Sequence, residues 1–107
     1  MVVGVLRATF HIPHARTLKD KRRVVQKLRD RVRSRFDVSI AEVDAQDLHQ
    51  RAVFGVSVVS SDAGVCDSVL ERVATAMATS GDAVLTDRVG ELEKAVQGHL
   101  ARMGFSF

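Results

Sequence analysis

Residues 2–12, VVGVLRATFHI, alternate with a period of two, and residues 17–36 change to a period near 3.6. That change, made within the first third of the chain, limits the fold more than any other feature. In the first stretch the even positions Val2, Gly4, Leu6, Ala8, Phe10 and Ile12 form one apolar face. The odd positions Val3, Val5, Arg7, Thr9 and His11 form a mixed one. This is the pattern of a half-buried strand, and Pro13, which cannot donate to a ladder, stops it. In TLKDKRRVVQKLRDRVRSRF (17–36), Leu18, Val25, Leu28 and Val32 fall on one helical stripe, with Val24 widening it and Phe36 at its end. Thr17 is placed to cap the helix, and Asp20 lies in the first turn, where a carboxylate is favoured.

The same alternation of periods recurs. DVSIAEV (37–43) reads as a short strand, and AVFGVSVVS (52–60) as a third, with Ala52, Phe54, Val56 and Val58 inward. Residues 61–79 read as a second helix, capped by Ser61 or Asp62, with Val65, Val69, Val73 and Met77 stepping by four beside Leu70. AVLTDRV (83–89) reads as a fourth strand. GELEKAVQGHLARMGF (90–105) reads as a third helix, with Leu92, Val96, Leu100 and Met103 on one stripe. The order βαββαβ predicts an α+β ferredoxin-like sandwich over 1–89, an antiparallel sheet with two helices on one face. Residues 90–107 are expected to form a C-terminal helical extension, packed on the same domain or on a partner.

At 107 residues the chain is sized for one domain. No apolar run reaches the roughly 18–20 residues of a membrane span, and no signal peptide is visible, so no membrane partner is expected. The single cysteine, Cys66, has no internal disulfide partner, which fits a reducing cytoplasm.

Charge is distributed unevenly. Residues 16–35 hold ten of the sixteen Lys and Arg residues but only Asp20 and Asp30 as acids. A basic helix therefore rides on an acidic remainder. Seven of the ten are arginines, whose planar fork suits phosphate. Lys19, Lys21, Arg22, Arg23, Lys27, Arg29, Arg31 and Arg33 are the expected phosphate contacts. A solvated helix face, or a docking face for an acidic protein, are the competing readings.

Ferredoxin-like RNA binders often stack bases on aromatics of the open sheet face. Here there is no Trp or Tyr, and Phe10, Phe36 and Phe54 fall on core positions, with Phe105 and Phe107 in the tail. Sequence-specific readout through the sheet is not expected. Instead, Val3, Val5, Val53 and Val59 make the open face apolar, and a homodimer interface or a covering by the C-terminal helix would bury it.

Signals for catalysis are weak. His11, His14 and His49 match no metal-ligand spacing, so neither metal nor cofactor is expected. Glu42, Asp44 and Asp47 form a small acidic group at the second strand's end, able to bind Mg²⁺ or serve acid–base chemistry as in a divalent-metal nuclease, though small ferredoxin-like nucleases generally need a carboxylate at the first strand's end, where this chain has His11 and Pro13. A non-enzymatic domain is the primary expectation.

The strand end HIP, the helix opening LKDKR and the segments FDVSIAEV and QDLHQRA closely resemble the YlxP-like family of small bacterial proteins. The resemblance covers residues 1–62; the second helix and fourth strand match by pattern, and nothing carries over beyond residue 90. It implies the ferredoxin-like fold and supplies no catalytic residues. Members often lie in gene neighbourhoods concerned with translation and ribosome maturation, which implies RNA or the ribosome as partner by association.

Overall fold

A computed structural model describes residues 1–93. The elements run β1 (Val2–His11), α1 (Leu18–Arg35), β2 (Ser39–Asp44), β3 (Arg51–Ser60), α2 (Ala63–Ala78) and β4 (Val84–Glu93). The four strands form one antiparallel sheet in the order β2-β3-β1-β4, the arrangement of a ferredoxin-like sandwich. β1 and β3 pair along their whole length, from Val2 opposite Ser60 to His11 opposite Arg51. Both helices cover the face that carries the even positions of β1.

The core follows from the period-two pattern. Leu6, Ala8 and Phe10 from β1, with Ile12 just after it, meet Ala52, Phe54, Val56 and Val58 from β3. The rings of Phe10 and Phe54 pack edge to face at 5.7 Å, the geometry favoured by their quadrupoles. Val25, Leu28 and Val32 of α1 close this layer at one end. Cys66, Leu70, Val73, Ala74 and Met77 of α2 close it at the other. The approach of α2 requires Gly4: a Cβ there would stand 2.9 Å from Leu70 Cδ1 and 3.1 Å from Cys66 Cβ.

The caps are local. Thr17 Oγ1 accepts from the Asp20 N–H at 3.1 Å, and Asp20 Oδ2 accepts from the Arg16 N–H at 3.0 Å. Asp62 caps α2 by accepting from the N–H groups of Gly64 and Val65. Two expectations change. Val65, predicted on the α2 stripe, is 48% exposed, while Leu70, Val73 and Met77 are buried as expected; Cys66 and Ala74 join them, because the buried face is centred toward Leu70. β4 runs on through residues 90–93, which were expected to open a helix, because backbone pairing with β1 continues to Val3 opposite Glu93. The rest of that expected helix lies outside the described residues.

A candidate nucleic-acid interface on the first helix

α1 lies on the sheet along the stripe Lys21, Val25, Leu28 and Val32, all buried. At 3.6 residues per turn the arc opposite this stripe carries Lys19, Arg22, Arg23, Gln26, Lys27 and Asp30, which line an open groove of about 590 Å³. Lys19, Arg22, Arg23, Lys27, Arg31, Arg33 and Arg35 are all exposed. The neutralising partners are few. Lys27 Nζ pairs with Asp82 Oδ2 at 3.1 Å, and Asp30 accepts from the Gln26 amide at 2.8 Å. Lys19, Arg22, Arg23 and Arg31 make no ion pair among the described residues. Asp20 is held below the usual carboxylate range, first by the hydrogen bond from the Arg16 N–H and also by the Arg23 charge nearby.

Not all of the eight expected cations belong to this face. Lys21 does not: its side chain is enclosed, and its Nζ donates to Ala45 O at 2.7 Å and Arg51 O at 3.1 Å. It also stands 2.8 Å from Glu42 Oε2 as an ion pair. The cause is positional. Residue 21 falls between Leu18 and Val25 on the buried stripe, so its ammonium points through the helix–sheet layer to the β2–β3 connection. There it fixes the backbone beside Ala45, which adopts a left-handed φ of 55°. Arg33 reaches back to Ile40 O at 3.3 Å on the β2 side. Arg29 is half-buried. The continuous outward set is therefore Lys19, Arg22, Arg23, Lys27 and Arg31. At the far end of α1, Arg35 and Arg72 stand 5.7 and 5.6 Å from the Phe36 ring centroid.

The open sheet face is less uniform than its valines suggest. Val5 is 43% and Val59 62% exposed, and Val3 is half-buried. Val53 is fully enclosed although register places it on the open side, so it offers nothing to a partner. Arg7 on β1 reaches Asp44 on β2 at 3.0 Å, and β3 lies between those strands, so the pair crosses the sheet over β3 near Val53. A bulge between Glu42 and Asp44 brings this about. Val43 meanwhile lies against Gly55, where a Cβ would meet it at 2.9 Å. Asp44 is held below the usual carboxylate range, first by the Ala45 N–H and then by Arg7.

The acidic group does not assemble. Glu42 points into the helix layer toward Lys21, and Asp44 points across the opposite face toward Arg7. Among the described residues no three His, Cys, Asp or Glu side chains come together as metal ligands. Cys66 is buried and unpaired. No described helix is long and apolar enough to cross a membrane.

Fold and charge together define a ferredoxin-like α+β domain that concentrates its free cations on one helix. The chain belongs to the family described as "Protein of unknown function (DUF503)", whose model matches residues 3–89. It is 38% identical over 72 residues to the uncharacterized protein YlxP of Bacillus subtilis (strain 168), a match covering 67% of this chain and 78% of that protein. The solved structure of the de novo designed protein Foldit4 is similar at a TM-score of 0.50 and 10% identity, covering 88% of this chain and 98% of its own. That likeness concerns the fold alone.

Proposed function

We propose that the protein is a non-enzymatic nucleic-acid-binding domain, with RNA in a ribosome-associated setting as its target and α1 as its phosphate-contacting face. The supporting observation is the outward row Lys19, Arg22, Arg23, Lys27 and Arg31, in which all but Lys27 lack an ion-pair partner among the described residues. Such a row attracts a phosphate backbone and gains from counterion release. Contacts of this kind position a duplex or strand without reading bases. A cytoplasmic location goes with this reading, supported by a lone, buried, reduced cysteine. Replacing Lys19, Arg22, Arg23 and Lys27 with Glu tests it by fluorescence anisotropy on labelled RNA. Loss of binding with an unchanged circular dichroism spectrum supports the reading; unchanged affinity overturns it.

A second reading is a homodimer through the open sheet face, favoured by the exposure of Val5 and Val59. Sedimentation at tens of micromolar decides it: a dimer that Val5→Glu and Val59→Glu dissociate supports it, and a strict monomer removes it.

A further inference from the structure

Where α1 ends against α2, a groove of about 330 Å³ is lined by Arg35, Phe36, Glu71, Arg72, Thr75 and Thr79, with Ala76 at its base. Phe36 is the C-cap of α1; its backbone is extended, and its N–H donates to Val32 O at 2.9 Å. Its ring is half-buried against the core. The Arg35 guanidinium, from α1, stands 5.7 Å from the ring centroid, and the Arg72 guanidinium, from α2, stands 5.6 Å from it. A ring face attracts a cation and so fixes where it lies.

Two like charges from different helices are thus held at one ring. Neither makes an ion pair among the described residues. Glu71, the acid in the lining, pairs instead with Arg88. Thr75 and Thr79 donate their hydroxyls to their own helix, at Glu71 O and Ala76 O. The end of the α1 dipole adds about half a negative charge, less than the two guanidiniums supply. The groove therefore carries a net positive charge that calls for an anion, and the planar fork of arginine suits a phosphate.

The groove also continues the row on α1. Lys27, Arg31 and Arg35 follow one another at steps of four, about 6 Å apart along the axis. Lys27 meets Asp82, which follows α2 in the chain, so this flank of α1 is the one turned toward α2. We infer that Arg35 and Arg72 clamp one phosphate of a strand held along α1, with Phe36 positioning both guanidiniums. The inference rests on the reading of the protein as RNA-binding, and it brings α2 into the contact surface.

The test measures the affinity of the intact chain for a labelled oligouridine strand by fluorescence anisotropy. Arg35 and Arg72 are both exposed, so Arg35→Gln and Arg72→Gln should retain the fold. Each is expected to weaken binding severalfold. The double variant should weaken it by less than the product of the two, because both side chains hold the same phosphate. Phe36→Leu keeps every charge and an apolar side chain, and is expected to weaken binding through lost positioning, with urea unfolding as the check on its fold. Arg7→Gln removes one charge from the opposite face of the sheet and should change affinity little. A loss at Arg72 no greater than at Arg7, or independent losses at Arg35 and Arg72, overturns the clamp and leaves the α1 reading standing. A folded Phe36→Leu chain that binds as the parent does overturns the positioning role of the ring. Polyglutamate that competes as well as RNA does overturns the phosphate assignment in favour of an acidic protein. Absence of RNA binding by the parent overturns both proposals.

Discussion

Lys21→Met is the most informative single perturbation of this fold. The side chain keeps its length and apolar stem but loses the ammonium. Three groups then lose a partner at once: the Glu42 carboxylate, 15% exposed as a side chain, and the carbonyls of Ala45 and Arg51. Breaking a buried pair from one side costs about 3–5 kcal/mol, because a charge is left uncompensated. Each orphaned carbonyl adds up to roughly 1–3 kcal/mol where water cannot reach it. Both carbonyl bonds are only part-buried, so water takes over at those oxygens, and Glu42's residual exposure trims the cost of the broken pair to about 3–4 kcal/mol. With a urea dependence of roughly 1–3 kcal/mol/M, the unfolding midpoint should fall by about 1–4 M. The double variant Lys21→Met, Glu42→Leu should recover much of the loss, since an apolar replacement of both partners removes the unpaired charge. The remaining folded Lys21→Met protein should bind RNA as the parent does, because the ammonium faces inward. A loss below about 1 kcal/mol, or a double variant no better than the single, would refute the reasoning.

Other expectations follow from the same contacts. Gly4→Ala places a methyl 2.9 Å from Leu70 Cδ1 and should cost about 1–3 kcal/mol in urea unfolding by overpacking. Thr17→Ala removes the acceptor for the Asp20 N–H and should cost about 1 kcal/mol, read the same way. Asp20 titrates below its ordinary 3.8 in the folded chain because the Arg16 N–H binds its carboxylate. Its contribution is thus complete above the ordinary carboxyl range and is lost as pH falls through the lower folded value. Acid unfolding of Asp20→Ala should accordingly show a shallower dependence on pH in that range than the parent does.

The parts of the fold set by local periodicity were legible in the sequence. Phe10, Leu6 and Phe54 declare their face by alternation, and Thr17 and Asp62 declare the helix starts by residue type. Lys21 was misassigned because charge was read before position. The step of seven from Leu18 to Val25 leaves a gap on the stripe that residue 21 fills, and Glu42, two residues beyond the inward Ile40, was the available sign of its partner. Val53 was not legible. The Arg7–Asp44 pair that crosses β3 on its face, and the bulge that sets Asp44 opposite it, are announced by no local pattern.

The most direct measurement is RNA affinity of the intact chain across a salt series. Each phosphate neutralised contributes about 0.7–0.9 to the slope of log affinity against log salt. Five outward cations therefore predict a slope of about −3.5 to −4.5, reduced toward zero when Lys19, Arg22, Arg23 and Lys27 are reversed. A slope near zero in the parent, or one the reversed helix leaves unchanged, would contradict α1 as a phosphate-contacting face.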